Sequence, residues 1–422
     1  MDTSVMITLG FLVFAIVMFA WEKIPLSITA MVVAVGLHLS GVLSAKEAFA
    51  GFVDPNVLLF MGMFVIGEAF FATGVAVGVG NVVHKFAKTE TSLLVAVMMI
   101  TGILSGFLSN TGTAAVLIPV IIGICKKSGF KQTKLLMPLV FAAAMGGNIS
   151  LIGAPGNMIA QAGLQQAGLG SFNFFDYGLV GLPILIVGTI FYATIGKRFL
   201  PDAPSHQPDG AFEGNDDYSH VPSWKKWTAA IILILTVVAM IFEKQLGVKL
   251  YVSAWIGALV LVATNVISET AAVKSIDMKT IMLFAGSMAL GDAMVKTGTG
   301  SVIADIIVNS LGASSSPIVV LVVIFVLGVF MTNFMSNTAT CALLVPIGLS
   351  LASQLGFDPK AVLAAIVIAS SLAYATPIGM PANTMVYNIA GYSFMDYVKA
   401  GVPLIVVSSI VALILLPILF PF

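Results

Sequence analysis

The chain has 422 residues, of which 59% are hydrophobic and 9% charged, and its mean hydropathy is +1.07. A soluble domain carries roughly 25% charged residues, so most of this chain is excluded from water. Its 19 basic and 19 acidic residues cancel, which removes the basic footprint of a nucleic-acid binder. A helix crosses the hydrocarbon layer with ~20 apolar residues, and nearly charge-free runs of that order recur, which predicts an all-α membrane protein. Three spans come first, at about 4–20, 25–43 and 54–75. The first lacks the basic flank and small-residue cleavage site of a signal peptide and is expected to be retained. An apolar segment, 92–125, follows with Ser109-Asn110-Thr111 near its middle, then spans 135–164 and 176–196. Residues 201–224 are rich in Pro, Asp, Gly and Ser and read as a solvated linker. Its acids (Asp202, Asp209, Glu213, Asp216 and Asp217) lack the ligand spacing of a calcium loop. The order then recurs: spans 226–243, 250–268 and 278–298, the segment 317–352 with Ser336-Asn337-Thr338, and spans 361–390 and 397–420.

That recurrence is an internal repeat. Ser109-Asn110-Thr111 returns as Ser336-Asn337-Thr338 at an offset of 227, and Gly153-Ala-Pro155-Gly-Asn157 as Gly379-Met-Pro381-Ala-Asn383 at 226. Upstream, Leu59-Phe60 to Gly74 matches Leu283-Phe284 to Gly298 at 224, and downstream Asp176-Tyr177 matches Asp396-Tyr397 at 220. The chain therefore divides into a first repeat, 1–200, a linker, 201–224, and a second repeat, 225–422.

Lys85 and Lys88 precede the segment 92–125, and Lys126, Lys127, Lys131 and Lys134 follow it. Basic residues favour the cytoplasmic side, so both flanks are expected there, and the segment reads as a re-entrant hairpin with Ser109–Thr111 at its tip. The same treatment of 317–352 leaves five crossings in each half, an odd number, so the second half is inverted relative to the first. Five basic residues (Lys46, Lys244, Lys249, Lys296 and Lys360) then fall outside, leaving 14 of the 19 inside. This places the linker in the cytoplasm and both termini outside the cell membrane. Two straight spans in place of each hairpin would keep the same loop sides.

In lipid, a broken helix persists only where protein or water satisfies its backbone. Gly153–Asn157 and Gly379–Asn383 put proline and small residues into apolar stretches, and proline removes a donor and clashes with the preceding turn. Both spans are expected to unwind there. Freed carbonyls and helix C-termini suit a cation, and helix N-termini suit an anion. Neither hairpin nor either break carries Asp, Glu, Lys or Arg at its centre. A proton pump would show a titratable group, and a channel would show repeated filter loops around an axis. Hydroxyls, amides and helix ends without fixed charge suit an anion accompanied by cations, with sodium in an oxygen cage.

The doubled Ser-Asn-Thr, each copy followed by a Pro-x-Asn break, resembles the divalent anion/sodium symporter family of the ion transporter superfamily, over nearly the whole chain. The resemblance implies a homodimer with a rigid scaffold (4–75 and 226–298) and a transport part holding both hairpins (92–125 and 317–352) and the later spans (135–196 and 361–420). That part would move as an elevator, carrying a dicarboxylate such as succinate, citrate, or sulfate. It further implies that Ser109, Asn110, Thr111, Ser336, Asn337 and Thr338, with Pro155, Thr376 and Pro377 at the breaks, contact the anion. A first sodium site would use Ser105, Asn110, Gly153 and Asn157, and a second Thr332, Asn337, Gly379 and Asn383. Two features depart from the family. Members commonly carry an extra N-terminal crossing, and the breaks differ, Ser150-Leu151 standing where the second has Thr376-Pro377.

Other residues are read as structural. Glu68 and Asp292 are repeat mates in apolar helices and are expected to hydrogen-bond within the scaffold. Lys296, four residues after Asp292, is placed to form a helical ion pair or to snorkel. Cys125 and Cys341 are expected to be core thiols, and His38, His84, His206 and His220 lack metal-ligand spacing. The Ser109 and Ser336 hydroxyls have no neighbouring base in sequence, which disfavours an enzyme. Alternatives within transport are an anion exchanger without sodium, an arsenite or other oxyanion permease, and a sodium/proton antiporter of related fold.

Overall fold

In a computed structural model of the chain, residues 2–21, 23–76, 78, 89–207, 218–311 and 316–421 are described. His84, Lys85, Lys88 and the linker acids Asp209, Glu213, Asp216 and Asp217 lie outside the described residues. Among the described residues, all regular structure is helical. The first half contains α1 (Thr3–Trp21), α2 (Leu26–Leu39), α3 (Pro55–Ala72), α4 (Glu90–Ser105), α5 (Asn110–Ser128), α6 (Leu136–Gly146), α7 (Pro155–Gln166) and α8 (Gly178–Ala193). The second contains α9 (Ser223–Ile241), α10 (Leu250–Ala263), α11 (Met278–Thr297), α12 (Thr299–Leu311) and α13 (Pro317–Thr332). It continues with α14 (Asn337–Leu355), α15 (Pro359–Ser370), α16 (Pro381–Ala390) and α17 (Phe394–Leu419). By length and composition α3, α5, α9, α11, α14 and α17 can each cross a bilayer, as expected of a multi-pass membrane protein.

The predicted interruptions are present: 135–164 is two helices, α6 and α7, and 361–390 is two, α15 and α16. One element is new. Helix α12 fills a stretch for which no span is predicted, and two of its polar positions, Ser301 and Asp305, sit one turn apart beside Val302 and Ile303. That pattern makes an amphipathic surface helix rather than a crossing.

The early spans of the two halves interleave: α2 packs along α11, and α3 along α10. Helices in lipid associate through close packing, which small residues permit. A Cβ on Gly62 of α3 would stand 2.8 Å from the Ala254 Cβ on α10, and one on Gly286 of α11 would stand 2.4 Å from the Ala30 carbonyl oxygen on α2. Gly62 and Gly286, like Ala30 and Ala254, are separated by 224 residues. The same backbone contact is thus made twice, once with the roles of the halves exchanged.

The later helices form a second group, with α4 against α6, α8 against α17, α13 against α15, and α14 against both α15 and α7. Trp224, Trp227, Ile231, Ile234 and Leu235 of α9 are exposed, as are Val406, Ile410, Ile414 and Ile418 of α17; these are faces for lipid. The start of the linker folds back on the protein. Asp202 lies 2.9 Å from both Lys131 and Lys134, and hydrogen bonds from Lys134 and Lys131 hold its carboxyl down at about 2. Ser205 Oγ donates to Asp396 Oδ2 at 2.7 Å. Cys125 and Cys341 are buried free thiols.

Candidate functional site

Four helices end and four begin at one place in the second group. α4 and α13 end at Ser105 and Thr332, and α6 and α15 end at Gly146 and Ser370. α5, α7, α14 and α16 begin at Asn110, Pro155, Asn337 and Pro381. The pieces interlock across the halves, because α7 packs on α14 and α15 while α16 packs on α5 and α6. A direct hydrogen bond ties the two breaks, Ser371 Oγ donating to Asn148 Oδ1 at 3.0 Å. Both hairpin tips and both interrupted helices, read separately from sequence, therefore meet.

The serine of each motif is a helix cap. Ser109 Oγ accepts from Gly112 N at 3.0 Å and Ser336 Oγ from Ala339 N at 3.2 Å, satisfying one of the orphan donors at each N-terminus. Thr111 and Thr338, in the first turns, are half-buried. α7 and α16 start differently, with proline at the first turn and no side-chain cap on Ala154 or Met380. Their first N–H groups are open, and an uncapped N-terminus carries partial positive charge that favours an anion.

The asparagine of each motif turns the other way, toward the helix C-termini. Ser105 Oγ donates at 2.7 Å to both Asn110 Oδ1 and the Ala143 carbonyl, although it has one proton. When the carboxamide is turned over, the Asn110 amide donates instead to Ser105 Oγ at 2.7 Å, Ala143 O at 3.2 Å and Gly153 O at 3.3 Å. The second half repeats this atom for atom. Thr332 Oγ1 donates to Asn337 Oδ1 at 3.0 Å and to the Ser370 carbonyl. The turned Asn337 amide donates to Thr332 Oγ1 at 3.0 Å, Ser370 O at 3.1 Å and Gly379 O at 3.1 Å. Each cage thus gathers a hydroxyl, a carboxamide and two main-chain carbonyls, one from the end of a helix and one from a break. Ser105 and Thr332 are fully buried.

A second asparagine holds each break open. Asn157 Nδ2 donates to Gly147 O and Ser150 O, both at 2.8 Å, and Asn383 Nδ2 to Ala373 O at 2.8 Å and Thr376 O at 3.1 Å. These are carbonyls that an unbroken helix would have satisfied internally. Each asparagine is itself fixed by a tyrosine on the following span: Tyr177 OH donates to Asn157 O at 3.2 Å and Tyr397 OH to Asn383 O at 2.6 Å. The Oδ1 atoms of Asn157 and Asn383 are buried without a hydrogen-bond partner among the described residues. Ser150 and Thr376 fasten breaks to hairpins, donating to Gly106 O and Asn333 O respectively. Thr376 Oγ1 also accepts from Gly379 N at 3.1 Å, and Pro377 beside it is buried.

The structure thus gathers Ser105, Asn110 and Gly153 in one cage and Thr332, Asn337 and Gly379 in the other. Asn157 and Asn383 stand behind the cages as braces. Sequence reasoning omitted the Ala143 and Ser370 carbonyls, which carry no side-chain signature. It also omitted Asn333, whose Nδ2 donates to Val329 O at 2.8 Å and Leu372 O at 3.1 Å while its Oδ1 accepts from Ala375 N at 2.9 Å. Tyr177 and Tyr397 were visible as a repeated pair, but without an assigned partner.

The citrate transporter family matches residues 16–352 and 237–422. An uncharacterized transporter of Escherichia coli K12, YfbS, is 24% identical, the alignment covering 100% of both chains. The sodium-dependent dicarboxylate transporter SdcS of Staphylococcus saprophyticus is 24% identical over 95% of this chain and 83% of that one. Among solved structures, the YdaH transporter of Alcanivorax borkumensis superposes with a TM-score of 0.68 at 16% identity, covering 98% of this chain and 99% of that one. The antimetabolite efflux pump MtrF of Neisseria gonorrhoeae gives 0.62 at 14% identity, covering 99% and 95%. These two likenesses are of fold.

Proposed function

The chain belongs to the citrate transporter family, within the divalent anion/sodium symporters its motifs resemble, and from that premise we propose that it carries a small divalent anion together with sodium. The anion is a dicarboxylate such as succinate, or citrate, or sulfate. The observation that carries this reading is the duplicated cage. Each contains oxygens from Asn, Ser or Thr and two carbonyls at helix ends and breaks, the donor set that unwound transporter helices offer to sodium. The carboxamide gives each cage two settings. Its nitrogen donates to the surrounding oxygens when no cation is held, and its oxygen turns inward when one is. On the opposite side of the same residues, the N-termini of α5, α7, α14 and α16 face the anion, with Thr111, Thr338 and the N–H groups of Gly156 and Ala382, which follow Pro155 and Pro381, as donors. Loading both cages offsets a dianion's charge, so anion and cations are taken up as a nearly neutral set, which low-dielectric surroundings favour.

The two-group packing supports a sliding movement. The halves are inverted, α1–α3 and α9–α11 form a scaffold shared in a homodimer, and α4–α8 with α13–α17 slide against it as an elevator. SdcS, named as a sodium-dependent dicarboxylate transporter, supports both the substrate class and the coupling. The test is uptake of radiolabelled succinate, citrate and sulfate into proteoliposomes, with an inward sodium gradient or with potassium in its place. Saturable, sodium-stimulated uptake of one of these anions is expected, abolished by Asn110→Ala or Asn337→Ala with little loss of folded protein. Full uptake in both variants defeats the site assignment, and equal rates in sodium and potassium defeat the coupling.

A further inference from the structure

Between α11 in the early-span group and α7 and α14 in the later group lies a cavity of about 740 Å³. It is separate from the cages and tips: its lining begins at Ala342 on α14 and at Ile159 on α7, five residues past Asn337 and four past Pro155. Its walls are mainly apolar, with Met288, Val345 and Leu349 among them, and its ionisable lining groups among the described residues are Glu47, Asp292 and Lys296. The helical ion pair expected between Asp292 and Lys296 is not made. Lys296 Nζ instead reaches Glu47, from the short helix Ala45–Ala48, at 2.8 and 2.9 Å. Lys296 and Glu47 neutralise each other, and Asp292 is left at the cavity wall without a hydrogen-bond or ion-pair partner among the described residues. The lining carries one uncompensated negative charge, which repels the dianion proposed for the cages.

We propose that this cavity is a binding site for a small organic ammonium ion, its cationic head on Asp292 and its apolar body against Met288, Val345 and Leu349. The volume lies in the range of small-molecule sites, ~300–1,000 Å³. An apolar pocket with a single placed charge binds one end of a ligand electrostatically and the other by burial. Methionine suits such a role because its polarisable, unbranched chain adapts to varied shapes. The cavity straddles the seam between the two helix groups, so an occupant pins them together and blocks uptake. That second consequence rests on the elevator reading; the binding does not.

The probe is hexyltrimethylammonium, titrated against the purified full-length protein in a maltoside detergent and followed by thermal unfolding and calorimetry. A ligand that binds only the folded state raises the unfolding temperature with concentration. Saturable stabilisation is expected for the wild type, and about tenfold or greater weakening for Asp292→Asn, from loss of the Coulombic attraction between carboxylate and cationic head. Asp292→Glu restores binding. Leu349→Trp, which fills the cavity and keeps the carboxylate, abolishes binding and serves if Asp292→Asn does not fold. No stabilisation of the wild type, or equal affinity in folded Asp292→Asn, overturns the proposal. In proteoliposomes the same probe inhibits anion uptake at its binding concentration. Binding without inhibition upholds the site and counts against the elevator reading alone.

Discussion

Removing one oxygen from each cage separates an ion site from a structural knot. Ser105 Oγ lies 2.7 Å from both Asn110 Oδ1 and Ala143 O and is sealed from solvent. Ser105→Ala removes one of four gathered oxygens and changes almost no volume. As a hydrogen bond, the loss is worth about 1 kcal/mol net of folded stability. As a contact to a cation it is worth more, about 1.5–3 kcal/mol for an interaction with a charged group, which is roughly a 10- to 150-fold rise in the sodium concentration giving half-maximal uptake. Thr332→Val makes the same change in the second cage while keeping the branched shape. The assay is initial-rate anion uptake in proteoliposomes over a sodium titration, paired with thermal unfolding of each variant in sodium and in potassium. Both variants are expected to lose sodium affinity far out of proportion to their loss of stability, and their extra stabilisation by sodium should shrink. If both keep the wild-type half-saturation while unfolding about 1 kcal/mol more easily, the clusters only knot the hairpins to the breaks, and the cation sites lie elsewhere.

Asn383→Ala strips the donors from Ala373 O and Thr376 O. At about 1–3 kcal/mol for each buried carbonyl left unmet, less what returns when the orphaned Oδ1 leaves with it, the variant should lose about 2–4 kcal/mol. Thermal unfolding should show this equally in sodium and potassium; an unchanged melting temperature would refute a bracing role. Gly286→Val drives a side chain into Ala30 O on α2, an overpacking worth about 1–3 kcal/mol or more. Its size-exclusion profile should broaden, whereas Gly10→Val, where a Cβ meets nothing within 4 Å, should behave as wild type. Asn333→Gly copies the Gly106 of the first half and frees Val329 O, Leu372 O and Ala375 N. It should destabilise the second break by about 3 kcal/mol or more on the same scale, and hydrogen exchange at residues 372–376 should accelerate while 147–151 stays as it was; unaltered exchange at 372–376 would sink the idea.

Much of the fold was legible because polar residues in an apolar chain are conspicuous. Ser109-Asn110-Thr111 and its mate stood out against runs of Val, Ile and Leu, and the prolines at 155 and 381 marked where helices had to restart. The family resemblance had already grouped Ser105 with Asn110 and Thr332 with Asn337, residues that lie five apart in each half. Main-chain oxygens could not be identified from side chains. Ala143 and Ser370 contribute carbonyls that every residue possesses, and only the packing of α6 and α15 against the hairpins brings those two into the cages. Lys296 failed for the opposite reason. Its spacing from Asp292 is a correct helical rule worth a few tenths of a kcal/mol, and a carboxylate from another helix outcompeted it by offering two oxygens within 2.9 Å.

The breaks show how much the difference in their sequences matters. Ser150-Leu151 against Thr376-Pro377 looked like a source of inequality, yet Ser150 and Thr376 do the same thing, each donating to the hairpin carbonyl opposite it. The inequality comes from the other side of that bond. Where the first hairpin has Gly106, the second has Asn333, and its amide reaches three further backbone groups of the hairpin and the break. A glycine there lets the first hairpin close onto the break, since a Cβ would stand 2.9 Å from Ile149 Cβ; an asparagine spans a wider gap with hydrogen bonds. The same cage is thus held by packing in one half and by a polar brace in the other. A binding site loses less on loading when its ligands are already fixed. On that argument the second cage is the more preorganised, and of the two sodium ions proposed above the one in the second cage is expected to bind more tightly.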